Sequence, residues 1–125
     1  MGLFNFWEQK KMKKELRKMF GKHFSFITNE YGYNVESSVY DKDSFGNFII
    51  ELSNGPKRIK IISDRSQIFI EILDSEKGWI DKEVILKVKG IPHSRFINTE
   101  FGLWTGYEIE NQAIDLKNNW IYLDL

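Results

Sequence analysis

The chain begins with a segment in which apolar residues recur at spacings of three and four. This spacing places them on one face of a helix, with lysines on the opposite face. Gly21 predicts a kink or a break, because glycine inside a helix costs about 1 kcal/mol relative to alanine, and Gly32 is suited to a left-handed C-cap. The apolar positions within the predicted helical segment 5–31 are Met12, Leu16, Met19, Phe20, Phe24, Ile27 and Tyr31.

Strand-like segments follow, and the alternation of apolar and polar residues is clearest in the last two of them. In RIKII and QIFIEIL, one set of isoleucines lies on one face and mostly polar residues lie on the other. This period of two predicts antiparallel strands with one covered face. The SNGP sequence between the second and third segments is a strong turn signal. The predicted strands, which form a meander, are Asn34–Tyr40, Phe48–Leu52, Arg58–Ile62 and Gln67–Leu73.

The C-terminal third predicts helices. Residues 81–89 fit either a strand or a helix, and we favour the helix because Asp81 suits an N-cap and Gly90 a C-cap. Residues 107–123 keep the helical spacing. The chain is therefore expected to be a single α+β domain over residues 1–125: an N-terminal amphipathic helix, a four-stranded antiparallel meander sheet, and C-terminal helices packed on one face. The apolar positions of the last helix are Ile109, Ala113, Leu116, Trp120 and Leu123.

The composition narrows the classes of function that this chain can have. The chain has no cysteine, so it has no disulfide and no thiolate nucleophile. No secretory signal and no transmembrane segment is evident, and we expect a cytoplasmic protein. Net charge is zero, yet residues 1–22 carry seven basic and two acidic groups. This segment is either a solvated helix face or a surface that contacts nucleic acid or a membrane. The basic residues of that second hypothesis are Lys10, Lys13, Lys14, Arg17 and Lys18.

Sequence motifs for catalysis are missing. His23 and His93 lack a second ligand at metal-binding spacing. The run Asp41–Gly46 resembles the start of a calcium loop, but Phe45 and Leu52 stand where oxygen ligands are needed, which favours a turn. There is no nucleophile elbow and no phosphate-binding loop. We therefore expect no catalytic residue, no metal ion and no cofactor.

The aromatic residues are more informative, since they make up 15% of the chain. Several lie in the glycine-containing stretch near the C-terminal helix. Aromatic side chains in such loops form either a protein-binding edge or a second core cluster. The aromatic residues considered as partner contacts are Trp79, Phe101, Trp104 and Tyr107.

Three short motifs carry a resemblance to a known family. They are the Glu30–Tyr33 stretch EYGY, the Phe45–Asn47 stretch FGN, and the Asp64–Gln67 stretch DRSQ, with Trp79 downstream. In this order they resemble small bacterial immunity proteins of polymorphic toxin systems, with the pattern E-Y-G-[FY] … F-G-N … D-R-G-Q. The similarity covers roughly residues 16–85. Ser66 stands where the pattern has glycine, so a left-handed turn at that position would be strained.

The resemblance implies a non-catalytic protein that neutralises a cognate toxin by binding it. The Asp64–Arg65 pair is interpreted mainly as part of the turn between two strands, with the Asp64 carboxylate accepting from backbone N–H groups. Arg65 and Glu71 are nevertheless kept as candidate partner contacts, the latter because acidic residues on a sheet surface typify a binding face. An exposed edge strand and the surplus of aromatic residues would also permit a homodimer.

Overall fold

The computed structural model describes residues 14–41, 47–65, 67–93 and 109–125. Two short helices precede an antiparallel sheet, and two further helices follow it. In chain order the elements are α1 (Lys14–His23), α2 (Ser25–Asn29), β1 (Asn34–Asp41), β2 (Asn47–Asn54), β3 (Lys57–Asp64), β4 (Gln67–Asp74), β5 (Gly78–Asp81), α3 (Lys82–Val88), α4 (Ile109–Asn119) and a terminal 3₁₀ turn (Trp120–Leu123).

The N-terminal helical segment is confirmed over the described residues, but its predicted break point is wrong. Gly21 lies inside α1 on an exposed side of the helix, and the break falls at Phe24. Burial of Leu16 and Phe20 outweighs the modest cost of one glycine. Gly32 does end the segment: its φ is +73°, and its N–H donates to the Thr28 carbonyl at 3.2 Å.

The sheet is a meander with the strand order β1-β2-β3-β4-β5, and every neighbouring pair is antiparallel. The four predicted strands are present. The fifth, Gly78–Asp81, was not predicted, because four residues are too few to reveal a period of two. Two residues connect β2 to β3, and Gly55 has φ +62° at the position where type II′ hairpin turns place glycine.

One face of the sheet forms the core. Its side chains alternate along β2, β3 and β4 as the sequence predicted, and the helices pack on them through Leu16, Phe24, Ile27, Leu86 and Leu116. Each of these five helix residues is at most 2% exposed, so they supply much of the hydrophobic stabilisation of the fold. The sheet residues beneath the helices are Phe48, Ile50, Leu52, Ile59, Ile61, Ile68, Ile70 and Ile72.

The two C-terminal helices are confirmed in type and are tied together by a buried ion pair. Asp81 caps α3 by accepting from the Glu83 N–H at 2.8 Å, as predicted. The next residue, Lys82, is fully buried and its ammonium contacts the Asp115 carboxylate of α4. Asn119 donates to the other Asp115 oxygen at 3.0 Å. Burying both charges is tolerable because each has a partner of opposite charge.

An aromatic cluster joins α2 to the C-terminus. The rings of Tyr31 and Trp120 stack with centroids 4.0 Å apart and planes 8° apart. Phe26 and Tyr33 contact Trp120 edge-on at 6.1 and 5.6 Å. Such pairs contribute about 0.5–1.5 kcal/mol beyond their buried area. Within the described ranges, no helix has both the length and the apolar character needed to cross a membrane.

Loss of Lys82 should be among the most damaging single changes in the described core. Lys82→Met leaves the Asp115 carboxylate buried beside an apolar chain, and we expect a loss of about 3–5 kcal/mol in the free energy of unfolding. Urea denaturation followed by circular dichroism measures it. The double variant Lys82→Met/Asp115→Leu should recover much of the loss, because no buried charge then remains unpaired. Equal losses in the single and double variants would contradict this account.

Candidate protein-binding face of the sheet

The second face of the sheet carries the side chains that alternate with the core residues. The apolar residues on this face do not belong to the core cluster or to its partly buried rim. No helix of the described part of the chain covers it, and we refer to it as the open face. By the strand register its residues are Ser37, Val39, Asp41, Asn47, Ile49, Glu51, Ser53, Arg58, Lys60, Ile62, Asp64, Gln67, Phe69, Glu71, Leu73, Trp79 and Asp81.

An apolar row crosses the open face over four strands. Val39 pairs with Ile49, Ile49 with Ile62, and Ile62 with Phe69. Directly paired residues of neighbouring strands hold their side chains close together, so the row is continuous. Val39 is 64% exposed and Ile49 is 43% exposed. The outer face of an antiparallel sheet is ordinarily polar, so this row is a departure that suits contact with another molecule.

A charged row lies beside it and includes Glu71, one of the predicted contact residues, while Trp79 lies in the next row. Lys60 is flanked in register by Glu51 and Glu71, and its ammonium lies 4.1 Å from the centroid of the Trp79 ring. Arg58 donates to Glu51 at 2.6 Å. The cation over the ring is attracted by its π face. Lys60 therefore reaches across β4 and holds the Trp79 indole against the sheet.

A polar row forms the end of the open face, at the β3–β4 turn. Asp41 pairs with Asn47, and Asp64 pairs with Gln67. The Asn47 Oδ1 accepts from the backbone N–H of Arg65 at 2.8 Å. Asn47 thus performs for Arg65 the backbone-bonding role that was predicted for Asp64. The Arg65 Nε lies 3.8 Å from Asp64, and the Arg65 side chain is 83% exposed.

The predicted site residues separate into four groups. Glu71 and Trp79 both lie on the open face, close to Lys60. Arg65 lies in the turn at one end of that face. Phe101, Trp104 and Tyr107 fall outside the described residues, as do Lys10 and Lys13 of the basic surface. The other basic residues, Lys14, Arg17 and Lys18, are exposed on α1, which packs on the opposite side of the sheet.

Several residues of the open face were not identified from the sequence. Val39, Ile49 and Ile62 lie in different strands, far apart along the chain, and only the pairing register makes them neighbours. Alternation did assign Phe69 and Glu71 to the second face of β4. The alternation signal therefore gives the face of one strand but not the row across several strands.

The short motifs occupy structural positions in the fold. In EYGY, the left-handed Gly32 lets Tyr31 and Tyr33 contact the same Trp120 ring. The Tyr33 hydroxyl is buried without a hydrogen-bond partner, and burial raises the Tyr33 pKa to about 12. Asn47 of FGN bonds Arg65 of DRSQ, so these two motifs meet. The residue of DRSQ with positive φ is Arg65, at 52°, while Ser66 lies outside the described residues.

The open face offers apolar, charged and aromatic side chains that can contact another molecule. Over the described ranges, no three acidic or histidine side chains come together in a way that could hold a metal ion. Comparison with protein-family models, with curated proteins and with solved structures found no match to this chain.

Glycine at position 65 should stabilise the β3–β4 turn. A left-handed conformation costs an L-residue roughly 1 kcal/mol or more, and glycine avoids that cost. Arg65→Gly is therefore expected to be more stable to urea than Arg65→Ala by about 1 kcal/mol, less the entropy that glycine adds to the unfolded chain. Both variants lack the guanidinium, so the comparison isolates the backbone. If Arg65→Ala is the more stable of the two, the left-handed turn is not the strained element.

Proposed function

We propose that this chain is a non-catalytic cytoplasmic binding protein: an immunity protein that neutralises a cognate bacterial toxin by direct contact through the open face. The motif resemblance suggests the class of protein. The exposed apolar row of the open face is the observation that carries the choice of surface. Inhibition by occlusion needs no nucleophile, general base or metal, because the toxin is blocked by the partner's presence alone.

The chemistry of the open face agrees with that of protein interfaces. Val39 and Ile49 offer exposed apolar area, and Trp79 offers a large ring whose position Lys60 fixes. Tryptophan is enriched among the residues that dominate binding energy, and polar residues around them exclude water. These residues lie on paired strands rather than in loops, so little ordering entropy is lost on binding.

The charge distribution supports a basic partner. Residues 23–125 carry five more acidic than basic groups. Complementary potentials speed association and disfavour wrong partners. A toxin that acts on nucleic acid presents a basic surface, and such a surface would meet an acidic body here. The class of toxin is therefore expected to be a nuclease or another basic enzyme.

Protection should depend on the open face. The test co-expresses this chain with the toxin domain encoded by the neighbouring upstream gene and scores survival. Ile49→Lys and Trp79→Ala are expected to lose protection and to weaken binding at least about tenfold, with unchanged circular dichroism. Val88→Lys is the matched control, because Val88 is an exposed apolar residue of α3.

The pattern of survival decides the proposal. Loss of protection in the control, together with full protection in both open-face variants, would place the binding surface elsewhere. A toxin domain whose lethality the unaltered chain does not relieve is not its partner.

A second candidate function rests on the exposed basic face of α1. Lys14, Arg17 and Lys18 line a surface groove of about 490 Å³, and none of the described residues that line it is acidic. This arrangement suits contact with a nucleic-acid backbone or an anionic membrane.

Salt titration separates the two candidates. Nucleic acid held by these three side chains should lose about 40-fold in affinity between 50 and 200 mM salt if each contacts one phosphate. The triple variant Lys14→Glu/Arg17→Glu/Lys18→Glu should then abolish binding in a fluorescence-anisotropy assay. The immunity proposal expects the opposite: little binding of DNA or RNA at 200 mM salt, and full protection from the toxin by the triple variant.

A further inference from the structure

One end of the open face holds a shallow pocket in which apolar and acidic side chains meet. Its volume is about 270 Å³, and residues of β1, β2 and β3 line it. Val39, Ile49 and Ile62 form its apolar part, and Asp41 and Asp64 stand beside them. The pocket thus combines three neighbours of the apolar row with two carboxylates of the polar row.

The strand register fixes how these groups are arranged. Asn47 lies in β2 between Asp41 of β1 and Asp64 of β3, because Asp41 pairs with Asn47, and the Phe48–Ser63 pair places Asn47 beside Asp64. Two strand spacings separate the carboxylate-bearing strands, which is about 10 Å. The apolar row lies two residues further along each strand, at a distance of about 7 Å.

We propose that this pocket receives a lysine or arginine side chain from the partner protein, and that this side chain anchors the toxin on the open face. The aliphatic stem lies against Val39, Ile49 and Ile62, and the charged head reaches the region between Asp41 and Asp64. Long basic side chains bury their stems on apolar surface while the charged head stays at a polar rim. The stem and head of such a residue match the separation of the two rows. The inference rests on the proposed function, since it names the anchor by which a toxin binds the same face.

The alternatives fit the pocket less well. An apolar group would cover the carboxylates without pairing them, which is costly. A phosphate or a nucleic acid would be repelled by two carboxylates at close range. A second copy of the chain pairing the same patch about a two-fold axis would bring acidic rims together. A protein cation therefore matches both the charge and the apolar floor.

Arg65 leaves the Asp64 carboxylate accessible to a second cation. Its Nε is 3.8 Å from Asp64, and the two side chains are 83% and 60% exposed. Exposed pairs of this kind contribute little to stability. A cation from a partner that also buries its stem on the apolar row can displace Arg65 from Asp64.

The first experiment tests the pocket without any toxin. The probe is the peptide acetyl-Leu-Arg-Leu-amide, titrated against methyl-labelled protein and followed by NMR. We expect saturable shifts centred on the methyl groups of Val39, Ile49 and Ile62. The peptide with citrulline in place of arginine has the same shape without the charge, and it should bind at least about tenfold more weakly.

The second experiment measures binding of the upstream-encoded toxin domain by calorimetry. The double variant Asp41→Asn/Asp64→Asn should bind at least about tenfold more weakly than the unaltered chain. The matched control Glu76→Gln/Glu110→Gln removes the same charge from two exposed residues elsewhere and should bind within about twofold of the unaltered chain. Thermal melts verify that each variant is folded.

The results distinguish a failure of the basic anchor from a failure of the proposed function. If the toxin binds the Asp41/Asp64 double variant as tightly as the unaltered chain, the basic anchor is wrong and the proposed function stands. If the unaltered chain does not bind the toxin, the proposed function fails, and the peptide titration alone decides the pocket. Equal shifts from the arginine and citrulline peptides would overturn the anchor. So would a dimer, found by sedimentation, that buries the same three methyl groups.

Discussion

The fold depends on the unequal treatment of the two faces of its sheet. In the described part of the chain, helices pack on one face only, and that face supplies the isoleucine-rich core. The hydrophobic effect drives this arrangement, because it removes apolar area from water on one side while leaving the polar alternates on the other. The open face is the consequence. Burial of the core does not explain its exposed apolar row.

Specific local contacts hold the sheet and the helices in their relative positions. Gly32 turns the chain out of α2 so that two tyrosines reach the Trp120 ring, which joins the N-terminal helices to the C-terminus. Asn47 joins β2 to the left-handed Arg65 of the next turn. These contacts account for much of the motif pattern by architecture alone. Of the motif residues, Asn47, Asp64 and Gln67 also lie on the open face, whereas Val39, Ile49 and Ile62 lie outside the motifs.

The buried Lys82–Asp115 pair plays a related part on the helical side. It fixes the start of α3 against α4, and Asn119 links Asp115 to the Pro92 carbonyl through bonds of 3.0 and 3.2 Å. A buried ion pair is weak evidence for high stability, but it is demanding in geometry, because neither charge tolerates a lost partner. The helices so fixed pack on the core face of the sheet, and a surface carried on paired strands loses less entropy on binding than one carried on loops.

The sequence by itself determined the α+β class, the four long strands and the identity of most core residues, because periodicity records which side of each element faces the core. It left residues 81–89 open between strand and helix, and only the capping residues Asp81 and Gly90 favoured the helix. It did not show β5, whose four residues are too short for a period, or the helix break at Phe24, where packing outweighs the local preference of Gly21. The apolar row of the open face could not be identified from the sequence for a different reason. Val39, Ile49 and Ile62 become neighbours only through strand pairing, and register is a tertiary property. The burial of Lys82 was equally hidden, since its partner Asp115 lies in a helix that only the folded chain brings near.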